Sequence, residues 1–533
     1  MPSTAVAAAP LPSVDVDSAA PLPNDGLCPL GAPDQAETPY LTELHLYASR
    51  NPIRLHTPGH KGNASGTGGL VDAVGERALG IDVPLPTLNA SEPPSIRRAE
   101  ALAARAWGAK RTWFLANGAS QGNHAACLAL AHSGQRVVVQ RNAHVSTING
   151  LVLSGLAPTF LTPGVDPALG VAHCPTPDAL DRALIATPDA AGALVVSPTY
   201  YGAAADVRGL ARVAHRHGVA LIVDEAWGSH FPFHDALPES ALAAGADLVI
   251  SSTHKIIGSL TQSAMLHLGT GAEARLDEEA VGRALDLVGS TSPSSLLLGS
   301  LDAARRRAAL HGRELIDSAL EAAEAVRAAI CAMPGMRPLD DGLVGRFGVH
   351  GYDPLQLAID VSGLGVSGYD LARTLRRSTD INLELVEDRV VVALFGMADV
   401  AEYVPRLVDA LASAAEVVAG ERAPWRGRSI AAPAWGPPVI APRTAFLARD
   451  EVVMAEEAIG RIAAESIVAY PPGIPNVLPG ERLTAETLAY VRDVLHRGGR
   501  VRGPADSALR TVRVVNDPRI GRRASDRATA LPV

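Results

Sequence analysis

Asp224, Glu225, Ala226 and Trp227 follow the apolar run Ala220–Val223, and Ser251, Ser252, Thr253, His254 and Lys255 follow the next run, Asp247–Ile250. If both runs are buried strands of one sheet, a carboxylate and an amine arrive at one edge, where open α/β sheets bind ligands. A purely structural ion pair would look the same. Scarcity favours chemistry: of 47 basic residues only Lys61, Lys110 and Lys255 are lysines, and arginine serves wherever a fixed positive charge is enough. An amine kept against that bias is a candidate for nucleophilic work that a guanidinium does not perform. Upstream, Asn117, Gly118, Ala119, Ser120 and Gln121 form a glycine-containing turn into the helix-like stretch Gly122–Ala131, a geometry whose free N–H groups can hold a phosphate. His144 ends another apolar run and is either a flat ring for stacking or a plain polar loop residue.

Together these groups meet the needs of pyridoxal 5'-phosphate: a lysine amine for its aldehyde, a carboxylate beside its ring nitrogen and an anion cradle for its phosphate. The elements that must position them are legible too. Arg136–Val139, Ala193–Val196, Ala220–Val223 and Asp247–Ile250 read as buried strands alternating with amphipathic segments such as Leu210–His217, which predicts a mostly parallel sheet covered by helices. A long helical stretch, Leu296–Cys331, ends at Pro334 and Gly335 and leads to a second alternating set with strands Leu357–Val361 and Val390–Leu394. The expected organisation is a tail over 1–38, a cofactor-binding large domain over 39–305, a smaller α/β domain over 306–420, a Pro-rich linker over 421–443, a C-terminal α+β domain over 444–517 and a second tail over 518–533.

Composition removes other classes. A chain of 533 residues, 47 % hydrophobic and 19 % charged, is too long for a hormone or small module and has no apolar stretch of the roughly 20 residues a membrane span needs. Its net charge of -9 argues against a dedicated nucleic-acid binder. Cys28, Cys127, Cys174 and Cys331 lack metal-ligand or redox spacing, so reduced thiols in a cytoplasmic protein without a metal site are expected.

Seven segments, in order and spacing, carry a resemblance that runs from about Pro39 to Asp517: His56-Thr57-Pro58-Gly59-His60-Lys61-Gly62, the loop Asn117–Asn123, Ser197-Pro198-Thr199-Tyr200-Tyr201-Gly202, Asp224-Glu225-Ala226-Trp227-Gly228, Ser252-Thr253-His254-Lys255, Thr291-Ser292-Pro293 and Tyr470-Pro471-Pro472-Gly473-Ile474-Pro475. The chain resembles the pyridoxal-phosphate-dependent ornithine/lysine/arginine decarboxylases, in the short bacterial form without the wing domain. The resemblance implies the aspartate aminotransferase-like fold, fold type I of the pyridoxal-phosphate-dependent transferases. It implies Lys255 as the Schiff-base lysine and Asp224 as partner of the pyridine nitrogen. It also gives Ser120 with its neighbours Ala119 and Gln121, Ser252 and His254 to the phosphate, His144 to the ring face, and Ala226 and Trp227 to the ring's surroundings. Thr291 and Ser292 match a segment sent across a dimer interface, so a homodimer or higher homo-oligomer with shared active sites is implied.

One stretch departs from the family pattern. Where relatives carry acidic and histidine residues after the Asp82 equivalent, this chain reads Leu85-Pro86-Thr87-Leu88-Asn89-Ala90-Ser91-Glu92-Pro93-Pro94, which bears on substrate identity more than on cofactor binding. Glu384, Glu387 and Asp388 either supply negative charge to a basic substrate, with Glu384 as the named candidate, or are simple loop acids. The activity expected is decarboxylation of arginine, lysine or ornithine to the amine and carbon dioxide, in polyamine metabolism, with Lys255 or His254 returning a proton to the alpha carbon. Fold does not fix reaction, so an aminotransferase and a catalytically silent binding homologue stand as the alternatives.

Overall fold

The apolar runs become strands of one seven-stranded sheet: β1 (Arg111–Leu115), β2 (Arg136–Gln140), β3 (Ala157–Leu161), β4 (Ala190–Val196), β5 (Ala220–Asp224), β6 (Leu248–Ser251) and β7 (Ala264–Leu268). The spatial order is β1-β7-β6-β5-β4-β2-β3. The neighbours from β6 through β3 pair in parallel, and β7 alone runs against both of its neighbours. In this computed structural model residues 34–85, 94–398, 401–420, 435–470 and 473–517 are described. Residues 1–33 of the expected first tail, the whole expected second tail, most of the expected linker and residues 86–93 of the departing stretch therefore lie outside the described residues. Residues 34–38 do not behave as a tail, because the Gln35 and Glu37 carbonyls accept hydrogen bonds from the Arg305 guanidinium.

Helices on both faces explain why the strands read as continuous apolar runs rather than alternating ones. Val137, Val139, Leu194, Ile222 and Ile250 pack on one face, against α1 (Gly118–Ala131). Val138, Val195, Leu221, Val223 and Val249 pack on the other, against α2 (Val207–Arg216), as the two-residue side-chain period of a strand requires. The strand read from Asp247 begins one residue later. Asp247 turns its carboxylate to Arg275, His215 and the Leu221 N–H and so sits outside the ladder.

Past the sheet, α3 (Ser295–Cys331) runs unbroken through residue 305 and packs with β8 (Gln356–Asp360) and β9 (Val390–Leu394), which pair antiparallel in a four-stranded sheet. Farther on, β10 (Pro475–Val477) and α4 (Ala485–His496) belong to a separate apolar cluster built around Ile467, Val477, Leu488 and Val491. Among the described residues no helix is long and apolar enough to cross a membrane.

Candidate active site

Parallel strands share an orientation, so β5 and β6, which are neighbours with Asp224 opposite Ile250, deliver their following residues to the same edge. Lys255 lies four residues beyond β6, in a turn closed by its own N–H to the Ser252 carbonyl at 3.2 Å. Its Nζ stands 3.6 Å above the centre of the Trp227 ring, and Tyr200 meets that indole edge-on at 5.8 Å. The amine makes no hydrogen bond to a described residue and no ion pair within 4.0 Å. Burial is the main cause that brings Lys255 down to about 8, and Asp224 and Glu384 pull the other way. The other two lysines are occupied elsewhere: Lys61 Nζ donates to the His56 carbonyl, and Lys110 pairs with Glu273 and Glu278 at the surface.

Adjacent residues on a strand point to opposite faces, and this separates the two acids at the end of β5. Glu225 turns away and accepts the Ala241 N–H at 2.6 Å; burial holds it well above the usual carboxylate range. Asp224 is 3 % exposed. Its Oδ1 accepts the Ala226 N–H at 3.1 Å and its Oδ2 accepts Asn123 Nδ2 at 2.8 Å, which leaves each oxygen a further lone pair. Asn123 also donates to Ser146 Oγ, which lies 2.7 Å from His144 Nδ1. His144 caps the helix Val145–Ser154 by accepting the Ser146 N–H, and burial, ahead of the other charges near it, lowers its proton affinity. Asp224 and His144 are thus joined through Asn123 and Ser146, two residues that sequence reading did not single out as functional. The signal available was a polar residue amid Gly122, Ala125 and Ala126 in the helix after the glycine turn.

At the neighbouring strand end, α1 starts from Gly118 at φ +71°, and its N-cap Asn117 makes no side-chain cap. The first-turn N–H groups of Ala119, Ser120 and Gln121 are therefore open to an anion, while Gln121 Oε1 accepts the Asn117 N–H. Ser252 is buried after β6. His254 donates from Nδ1 to the Ser263 carbonyl at 2.9 Å, so Nε2 is the acceptor of the neutral ring, and burial favours that neutral form.

Two expectations about outlying residues resolve differently. Thr291 and Ser292 are exposed, and the Ser292 N–H bonds only to its neighbour Ser290; within one chain they do not join the site. Glu384 is exposed, yet its charge reaches both Lys255 and His254; it lines a cavity of about 340 Å³ whose other charged residues are Arg373, Arg376 and Arg500. The two acids beside it have other partners. Asp388 takes both oxygens to Arg497, and Glu387, beside Tyr201, is pushed up to about 7 by burial.

The donor set fits pyridoxal 5'-phosphate. A free amine of lowered proton affinity, a carboxylate with unused lone pairs and an uncapped helix start converge on one sheet edge, with Trp227 and His144 as flat walls.

Comparison with known proteins adds a match of family and fold. The family described as Orn/Lys/Arg decarboxylase, major domain, matches residues 38–344, and its C-terminal domain matches residues 436–499. An arginine decarboxylase of Bacillus subtilis (strain 168) is 38 % identical over 91 % of this chain and 99 % of its own length. Another from Halalkalibacterium halodurans is 38 % identical over 91 % and 98 %. Among solved structures, the lysine decarboxylase of Francisella novicida superposes with a TM-score of 0.76 at 19 % identity, covering 90 % of this chain and 81 % of that one. At that identity the likeness concerns the fold.

Proposed function

The chain belongs to the Orn/Lys/Arg decarboxylase family, and from that premise we propose that it decarboxylates a basic L-amino acid, arginine before lysine or ornithine, and supplies the amine to polyamine metabolism. The observation that carries this reading is the free Lys255 amine over Trp227 at the sheet edge that also holds Asp224. Arginine is preferred because relatives named for it match almost end to end.

Bound here, pyridoxal 5'-phosphate supplies an electron sink for the bond to the departing carboxylate. Lys255 would hold its aldehyde carbon through Nζ. Near neutral pH an amine brought down to about 8 both takes up and releases a proton, which suits Lys255 to return one to the alpha carbon; His254 Nε2 is the alternative donor once protonated. Asp224, its carboxylate held by two N–H donors, would keep a proton on the ring nitrogen. The N–H groups of Ala119, Ser120 and Gln121 would hold the phosphate, with Ser252 and, once protonated at Nε2, His254. His144 and Ala226 would line the ring faces. Trp227, met edge-on by Tyr200, would keep water from the Lys255 side. Glu384 would meet the substrate's distal cation.

A homodimer or larger homo-oligomer completes the reading, with the exposed Thr291 and Ser292 serving the site of a second copy. The domain limits 39–305, 306–420 and 444–517 belong to the same proposal, as does a cytoplasmic location, which suits the free thiols of Cys127, Cys174 and Cys331.

The test is carbon dioxide release and amine identification with arginine, lysine, ornithine and the neutral control norleucine, with 2-oxoglutarate added in parallel. Agmatine and carbon dioxide from arginine are expected at the highest kcat/KM. Glutamate without carbon dioxide would establish the aminotransferase instead, and equal rates on norleucine and arginine would exclude a pocket that reads charge.

A further inference from the structure

Asn123 is 1 % exposed in the interior of α1, and both hydrogens of its amide go to Asp224 and Ser146. The Asp224 carboxylate can only accept, so the amide group facing Asp224 Oδ2 at 2.8 Å is the nitrogen. Its second hydrogen goes to Ser146 Oγ at 3.1 Å, and its oxygen accepts from Thr147 Oγ1 at 3.3 Å. These three partners leave the amide one orientation. Ser146 Oγ, having accepted from Asn123, turns its own hydrogen to His144 Nδ1 at 2.7 Å, and the Ser146 N–H approaches the same nitrogen at 3.2 Å. Nδ1 is therefore an acceptor, and the single proton of the neutral ring is on Nε2.

We propose that Asn123 is a positioning residue that holds the Asp224 carboxylate toward the cofactor's ring nitrogen and, through Ser146, keeps His144 a neutral Nε2–H ring against the cofactor face. The proposal rests on the roles given above to Asp224 and His144.

The physical reason is proton affinity. A donor held against a carboxylate oxygen strengthens the charge pairing of that carboxylate with a ring N–H, and Asn123 Nδ2, 2.8 Å from Asp224 Oδ2, is such a donor. Without that donor the proton moves toward Asp224 and the ring loses positive charge. The proton affinity of the Lys255 nitrogen bound to the cofactor then rises. Packing alone would have no such consequence, because leucine occupies nearly the same space.

The test uses full-length holoprotein of wild type, Asn123→Leu and Ser146→Ala, with three readouts: the pH midpoint of the bound cofactor's visible absorption, steady-state kinetics, and nitrogen-15 shifts of the His144 ring in cofactor-free protein. In Asn123→Leu the midpoint should move to higher pH by about half a unit or more. Its kcat should fall about tenfold, with KM within about twofold. Ser146→Ala keeps the Asn123 bond to Asp224, so its midpoint should stay near wild type while the His144 shifts depart from the Nε2–H pattern. A folded Asn123→Leu protein with wild-type midpoint and kcat overturns the proposal. If Asn123→Leu does not fold, Asn123→Ala takes its place under the same criteria. A wild-type protein without any cofactor band would instead overturn the assignment of Asp224 and His144, so the two failures are distinguishable.

Discussion

Two interior pairs of opposite charge stand at the carboxyl edge of the same sheet, and they are finished in opposite ways. Arg141, one residue past β2, meets Glu481 through two bonds of 2.9 Å and donates also to the Pro475 carbonyl at 2.8 Å. Its guanidinium lies near the rings of Phe160 and Trp435, and both partners have side chains 3 % exposed. Glu481 Oε2 accepts the Leu478 N–H as well. This pair is closed, and it ties β2 to the segment carrying β10. Lys255 and Asp224 face the same edge without bonding each other. The carboxylate is held by Asn123 and Ala226, and the amine rests on the Trp227 ring. An ion pair that holds structure together uses up its donors, whereas opposite charges kept apart for chemistry leave theirs available, and burial then lowers the proton affinity of Lys255 to about 8.

Breaking the closed pair should have the largest effect on the folded state. Glu481→Ala leaves Arg141 buried without its anion, which costs about 3–5 kcal/mol. Denaturant titration of the cofactor-free chain should register that loss, with kcat per folded molecule close to wild type. Replacing Arg141 and Glu481 together by Met and Leu should cost less than the single change, since no charge is stranded.

Breaking the open pair should instead affect rate. Asp224→Asn keeps shape while removing charge, so the fold and some cofactor affinity remain and kcat falls about a hundredfold, about 2.7 kcal/mol of barrier. Single-turnover decarboxylation is the check.

The smallest effect sharpens the comparison through pH. In the folded cofactor-free chain Lys255 is lowered from 10.5 to about 8, so between those values the unfolded chain binds the extra proton and stability rises with pH. The burial penalty is therefore complete below about 8 and gone above 10.5. Lys255→Met should be more stable than wild type at pH 7 by thermal or chemical unfolding, and its advantage should shrink as pH climbs through that window.

These two pairs also mark how far the sequence could be read. Asp224 and Lys255 were legible because each follows an apolar strand, because parallel strands deliver their ends to one edge, and because lysine is so scarce in this chain. Glu225 stands beside Asp224 in sequence; the resemblance already assigned the role to Asp224, and the strand's alternation supplies the physical reason, since Glu225 turns away to the Ala241 N–H. The glycine turn Asn117–Gln121 and the stacking candidate His144 were visible for similar local reasons. Asn123 was not, because its role depends on Asp224, 101 residues away, and on Ser146 in a different helix. Arg141 and Glu481 are 340 residues apart, and no local pattern announces a pairing of that length. The sheet was legible from buried runs, while the start of β6 was misplaced by one residue because Asp247 has side-chain partners that only the tertiary structure supplies. Glu387 and Asp388 resembled Glu384 in sequence, and their partners Tyr201 and Arg497 come from distant segments.

The central claim is that Lys255, the lysine whose amine has no hydrogen-bond or ion-pair partner among the described residues, carries the cofactor. Borohydride reduction of the holoprotein, followed by proteolysis and peptide mapping, tests it directly. The account predicts a single pyridoxyl group on the peptide containing Lys255. A pyridoxyl group on Lys61 or Lys110, or none on any lysine, would contradict it.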